Sequence, residues 1–189
     1  HGIEAIDTKE YNRFAGDGAK NLIARMLNYR ACYSDELHAS VFRVYNELYN
    51  ADVTCKTVIF DGLKEVLDRL KRLGYRFVIV SNKPDPAVKT LCAQFFPGVF
   101  ALGETPDCPR KPAPDMVWQT MEKLGIDRCV YIGDSEVDIL TAKNAGVPCI
   151  SVTWGFRDRA ALADAGATHY CDTPADLPRC IRQIAEDLV

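Results

Sequence analysis

Between Asp61 and Asp187 short apolar runs alternate with stretches of helical length, and this alternation limits the possible folds more than any other feature. The runs Val78-Ile79-Val80, Cys129-Val130-Tyr131-Ile132 and Cys149-Ile150-Ser151-Val152 have the composition of strands buried on both faces. Gly74 closes the first helical stretch as a C-terminal glycine does. In order, the pattern predicts helix 62–73, strand 75–80, helix 84–95, strand 99–102, helix 114–124, strand 129–132, helix 136–144, strand 148–153, helix 157–165, strand 168–171 and helix 174–187. Such repetition predicts an α/β fold, a doubly wound parallel sheet with helices on both faces.

The first third lacks that rhythm. From Thr8 to Asn50 the spacing is helical, with one apolar face at Leu22, Ile23, Met26 and Leu27 and another at Leu37, Val41, Val44, Tyr45 and Leu48. The expected organisation is a small helical domain over 1–55 and an α/β core over 56–189. A helical unit of this size is too small to be secure alone. Its loop Phe14-Ala15-Gly16-Asp17-Gly18 allows tight turns, so Gly16, Asp17 and Gly18 either approach a ligand or simply join two helices.

Composition removes several function classes. The chain has 189 residues, 48% hydrophobic and 26% charged, enough for one cored domain and an accessory unit. With a formal net charge of −3 and no block of like charge, it lacks the basic face of a nucleic-acid binder. No apolar run reaches the roughly 18 residues of a membrane span. None of the eight cysteines forms a CxxC pair, which argues against a zinc ribbon or redox motif. Cys129 and Cys149, beside apolar runs, read as small buried thiols, and the scattered set fits a reducing compartment, the cytoplasm.

Three predicted strand ends carry chemistry. The first ends in Ser81-Asn82-Lys83, where a hydroxyl beside backbone N–H groups either binds a phosphoryl oxygen or makes an ordinary turn. In Arg110-Lys111-Pro112-Ala113-Pro114-Asp115 the prolines are expected to hold the loop extended before a helix. Lys111 there neutralises an anion and a neighbouring carboxylate, or is a solvated lysine, while Arg110 is expected to point outward. In Gly133-Asp134-Ser135-Glu136-Val137-Asp138 a strand delivers two acids, four residues apart, to the sheet's carboxyl edge. Hard oxygen donors there suit Mg2+, whereas the bland alternative is an N-cap plus a surface charge.

Val-Ser-Asn (80–82), Lys-Pro-Ala-Pro-Asp (111–115) and Gly-Asp-Ser-Glu-Val-Asp (133–138) together resemble the second, third and fourth motifs of the haloacid dehalogenase-like hydrolases. Thr141-Ala142-Lys143-Asn144-Ala145-Gly146 and Val152-Thr153-Trp154-Gly155-Phe156-Arg157 are similar to the phosphoglycolate phosphatase branch, and Phe14–Leu22 resembles its helical cap. The resemblance implies hydrolysis of small phosphate monoesters through an aspartyl-phosphate, with Mg2+ as cofactor and a small phosphorylated metabolite as substrate. It implies that Ser81 and Asn82 bind the phosphoryl group and that Lys111 offsets charge. Asp134 holds the metal, with Asp138 as direct or water-mediated support, and the cap closes over the substrate.

One departure stands out. The family's first motif, an apolar strand followed by Asp-x-Asp-Gly-Thr, has no counterpart here, and the chain opens at His1 as though it began after that first core strand. Val58-Ile59-Phe60-Asp61-Gly62 resembles half of the motif, but Leu63 stands where the second acid belongs, so Asp61 reads as a helix entry. These 189 residues are therefore expected to be inactive alone, with the nucleophile upstream. A dehalogenase is disfavoured by the paired acids. A phosphosugar mutase like β-phosphoglucomutase shares the metal set, and a non-catalytic phosphate-binding module also fits. Arg157 either positions an anionic substrate or lies on the surface, and the sequence does not choose.

Overall fold

In the helical first third, one-sided apolar spacing and local caps decide where helices form. The computed structural model describes residues 2–16, 18–55 and 57–187, and the chain divides into the units His1–Thr57 and Val58–Val189. The described helices of the first unit are α1 (Thr8–Phe14), α2 (Gly18–Tyr29) and α3 (Asp35–Ala51). Helix α2 buries Leu22, Ile23 and Leu27. Helix α3 is capped by Ser34, whose Oγ accepts the Leu37 N–H at 3.1 Å. The apolar face expected on α3 is only half-buried, and Leu48 on it is 71% exposed. Arg25 Nη1 donates to the Phe14 carbonyl at 3.0 Å, tying α2 to the end of α1. Gly16 lies in a bend with φ 106° and Gly18 opens α2, while Asp17 lies outside the described residues.

The second unit alternates strands and helices. Its elements are α4 (Leu63–Arg72), β1 (Ile79–Pro84), α5 (Asp85–Phe95), β2 (Ala101–Glu104), α6 (Asp115–Leu124) and β3 (Tyr131–Gly133). There follow α7 (Glu136–Ala145), β4 (Cys149–Val152), α8 (Arg159–Asp164), β5 (His169–Cys171), a 3-10 turn (Pro174–Asp176) and α9 (Leu177–Asp187). Asp61 is exposed in the turn that opens α4, the helix entry its neighbours predict.

Among the described residues every pairing of strands is parallel, but the strands form two sheets where the sequence predicts one. One sheet has β1 beside β2, with Ile79 opposite Ala101. The other runs β3-β4-β5, with Tyr131 opposite Cys149 and Ile150 opposite His169. Between β1 and β3 side chains replace ladder bonds: Val80 packs against the cluster of Val117, Tyr131 and Ala142. Strand β1 also begins four residues later than expected, at Ile79 instead of Tyr75. The apolar run has strand propensity, but ladder bonding starts only where β2 lies alongside, with the Ile79 N–H on the Phe100 carbonyl at 3.1 Å.

The main core lies beneath the three-stranded sheet, joining Ile150, Val152 and Cys171 to Leu70 of α4 and to Leu177, Cys180, Ile181 and Ile184 of α9. Each such aliphatic side chain taken from water contributes about 1.5–3 kcal/mol. All eight cysteines are free. Cys129 and Cys149 are half-buried, less enclosed than their apolar neighbours imply, and burial pushes the Cys149 thiol up to about 11. Among the described residues no helix is long and apolar enough to cross a membrane.

Candidate active site

The site is assembled at the carboxyl ends of the parallel strands, where open α/β folds gather polar side chains. From β1 come Ser81 and Asn82, which lie within the strand and not just beyond it. Asn82 is buried at 8% exposure, and its amide makes a reciprocal pair with one peptide unit of the next loop. Its Nδ2 donates to the Lys111 carbonyl at 2.9 Å, and its Oδ1 accepts the Lys111 N–H at 2.7 Å. In the structure the Asn82 side chain anchors Lys111. Ser81 is half-buried, and its Oγ accepts the Lys83 N–H at 3.2 Å. The hydroxyl proton remains to donate to an anion.

The Lys111 loop is turned, not extended, because the Ala113 N–H closes onto the Arg110 carbonyl at 3.0 Å. Arg110 is half-buried, with Nε and Nη2 shielded from solvent, so it does not point outward as expected. Lys111 Nζ donates to Asp138 Oδ1 at 2.7 Å, with only 13% and 8% of the two side chains exposed. A solvated loop lysine is thereby excluded. An ammonium carries three N–H donors, so the group keeps capacity for an anion after this bond.

Asp138 is the most enclosed acid of the site, at 6% exposure. Its Oδ1 also accepts the Tyr131 hydroxyl at 3.2 Å, and its Oδ2 accepts Ser135 Oγ at 2.6 Å and the Asp134 N–H at 3.2 Å. Burial opposes its charge, but the Lys111 ammonium, Ser135 and the Asp134 amide outweigh burial and hold the carboxyl below the usual range. These four donors engage both oxygens of the carboxylate. Asp138, expected as direct or water-mediated metal support, braces Lys111 and the Asp134 turn in the structure. Gly133 permits the brace, since a Cβ there would lie 2.2 Å from the Asp138 Cβ.

Asp134 has the opposite character. Burial raises its carboxyl above the usual range, and the nearby Asp138 charge raises it further, against the lowering effect of the Phe156 N–H. That amide reaches Asp134 Oδ2 at 3.0 Å. The loop after β4 comes this close because residue 155 is glycine: a Cβ there would lie 2.1 Å from the same oxygen. Arg157, one residue on, grips Glu136 with Nε at 2.7 Å and Nη2 at 2.8 Å. It is therefore not a free surface arginine. Among the described residues no group of three or more His, Cys, Asp or Glu side chains could enclose a metal. The donor set nevertheless fits Mg2+, which takes one or two carboxylates and completes its shell with water and phosphate oxygens. Asp134, a half-buried carboxylate whose charged form is disfavoured by burial and only partly compensated, is the donor such an ion would suit.

Several of these contacts escape a reading of motifs. Tyr131 appears in the sequence only as a strand residue, and nothing there aims its hydroxyl at Asp138. Ser135 and Asp138 do carry a signal, the Ser-x-x-Asp spacing of a capping box. The Phe156 amide and the Arg157–Glu136 pair depend on β3 and β4 being neighbours, which spacing alone does not reveal. Gly16 and Gly18 belong to the other unit.

Comparison with known proteins adds a family. A family model described as haloacid dehalogenase-like hydrolase matches residues 2–146. A phosphoglycolate phosphatase of Cereibacter sphaeroides is 32% identical over 162 residues, covering 82% of this chain and 73% of the relative. The phosphoglycolate phosphatase of Photorhabdus laumondii is 28% identical over 170 residues, covering 86% and 72%. The crystal structure of a Lactobacillus delbrueckii protein assigned as a phosphoglycolate phosphatase superposes with a TM-score of 0.81 at 34% identity, covering 93% of this chain and 83% of the other.

Proposed function

The chain belongs to the haloacid dehalogenase-like hydrolases, and from that premise we propose that its site serves the Mg2+-dependent hydrolysis of small phosphate monoesters, phosphoglycolate first among them. The carrying observation is Lys111, held through its backbone by Asn82 of one sheet and through Nζ by Asp138 beside the other. That double anchorage fixes an ammonium beside Asp138, close enough to Asp134 to favour its charged form. Phosphoryl transfer depends chiefly on such positioning and charge neutralisation. The phosphoglycolate reading is supported by the similarity to phosphoglycolate phosphatases.

In this reading Ser81 Oγ donates to one phosphoryl oxygen and Lys111 to another. Asp134 holds Mg2+, which when bound would screen the phosphate from the carboxylates. Asp138 keeps Lys111 charged and directed. The helices of the first unit would act as a cap that selects the leaving group, with Gly16, Asp17 and Gly18 as candidate substrate contacts. The 189 residues contain no Asp-x-Asp pair, so the attacking carboxylate has no counterpart among them. The eight free thiols support residence in the cytoplasm.

Calorimetric titration of inorganic phosphate, with and without Mg2+, tests the reading. Binding should depend on Mg2+ and weaken about tenfold or more in K111M and S81A, each of which loses a charged or neutral hydrogen bond to the anion. p-Nitrophenyl phosphate should not be turned over by these residues alone. Absence of phosphate binding, or binding indifferent to both substitutions, would refute the site. Turnover comparable to an intact family member would refute the account of the nucleophile.

A further inference from the structure

We propose that Arg157 and Glu136 form a latch that fixes the orientation of Asp134, making Arg157 a positioning residue for the bound cation. The inference rests on the reading of Asp134 as the cation ligand. Its geometry is independent of that reading.

Glu136 opens α7, two residues after Asp134, and Arg157 follows β4 directly after Phe156. The ion pair therefore joins the two segments that meet at the Asp134 carboxylate. It is bidentate, with Nε to Oε2 at 2.7 Å and Nη2 to Oε1 at 2.8 Å. The guanidinium is a planar fork, so two parallel bonds set the direction as well as the distance between the segments. The pair is also asymmetric in burial, with 12% of the Arg157 side chain exposed against 50% of Glu136. Exposed pairs on mobile side chains contribute little, but here the arginine stem is already enclosed, and less freedom is lost in forming the pair.

What the latch holds is the close approach of residues 155–156. Gly155 lies so near Asp134 that a Cβ would overlap Oδ2 at 2.1 Å, and the Phe156 N–H reaches the same oxygen at 3.0 Å. That amide restrains the rotation of the carboxylate at Oδ2. If the loop swings out, the Phe156 amide leaves Asp134 and the carboxylate is free to rotate.

Charge and position make opposite predictions for Arg157. Acting only through charge, a cation near Asp134 repels a second cation, and removing it tightens metal binding. Acting as a latch, its removal weakens binding. Mn2+ alone, followed by the loss of its free-ion paramagnetic resonance signal on titration into the 189-residue chain, distinguishes them. The variants are R157M, which keeps the enclosed stem, R157K, E136Q and D134N, with folding checked by circular dichroism. Expected results are loss of binding in D134N and about tenfold weaker binding in R157M and E136Q, at the lower end of the 10–100-fold range for groups behind a metal ligand. R157K should fail to restore wild-type affinity, because an ammonium lacks the fork. The double variant R157M/E136Q should be no weaker than the weaker single variant. Wild-type binding that D134N abolishes and R157M leaves within twofold, or tightens, overturns the latch alone. Absence of any D134N-sensitive Mn2+ binding overturns the reading of Asp134 and the latch with it.

Discussion

Lys111→Met is the most informative single perturbation of this molecule. It removes the ammonium from Asp138 while keeping an apolar stem of similar length. Both side chains are largely enclosed, at 13% and 8% exposure, so the carboxylate left behind cannot be fully hydrated. Breaking a buried pair from one side costs about 3–5 kcal/mol. Asp138 retains the Tyr131 hydroxyl, Ser135 Oγ and the Asp134 N–H, which places the expected loss near the lower end, about 3 kcal/mol at pH 7. Trp118 and Trp154 both belong to the unit Val58–Val189, so tryptophan fluorescence reports the unfolding of that unit. With a urea dependence of about 2 kcal/mol per molar, the midpoint should fall by about 1.5 M. The pH dependence adds a second check. The folded Asp138 carboxyl lies below its unfolded value, so the pair's stabilisation is complete above the ordinary carboxylate range and is lost as pH falls through the folded value. Wild type and K111M should therefore converge in acid. A loss under about 1 kcal/mol at pH 7, the range of exposed pairs, would refute the reasoning, as would a gap that does not narrow in acid.

Asp134→Asn should have the opposite sign. The folded Asp134 carboxyl lies above its unfolded value, so wild type loses stability as pH rises from the ordinary carboxylate value through the folded one. Without divalent cation the variant should gain about 0.5–1 kcal/mol at pH 7, and the gain should vanish in acid, as read by urea midpoints across pH. Asn82→Ala strips two hydrogen bonds from the Lys111 peptide. It should cost about 2 kcal/mol and also weaken phosphate binding in calorimetry; unchanged affinity would contradict the anchoring role. Gly155→Ala puts a methyl 2.1 Å from Asp134 Oδ2. It should destabilise the unit by about 1–3 kcal/mol and speed hydrogen exchange of the Phe156 amide, whose protection would persist if the loop were not held there.

Element type was readable from 62 onward because punctuation and hydrophobicity agree. Glycine ends the first helix, prolines and acids open others, and the apolar runs at 129–132 and 148–153 overlap β3 and β4, of which β4 is largely buried while Ile132 of β3 is exposed. Strand limits were less readable, as β1 shows: Tyr75 to Val78 have strand-forming side chains, but pairing waits for a neighbour, and neighbours are a tertiary fact. The division into two sheets was hidden for the same reason. The motifs did carry the donor types of the site, Ser81, Lys111, Asp134 and Asp138. They could not distinguish the surroundings of the two acids, because Asp138 also meets Tyr131 and Ser135 while Asp134 receives a backbone amide from beyond β4. Two carboxylates of identical chemistry end with acidities shifted in opposite directions.

The pairing of Lys111 with Asp138 also governs what an approaching anion meets. With both acids ionised, Lys111, Asp138 and Asp134 together carry one net negative charge. A phosphate approaching that trio by itself is repelled, and a divalent cation beside Asp134 reverses the sign. On the proposed reading the two ligands are thermodynamically linked, each raising the affinity for the other by the same factor. Free cation concentration then sets the apparent phosphate affinity, and an isotherm taken in a chelator reports on a different electrostatic object from one taken in magnesium.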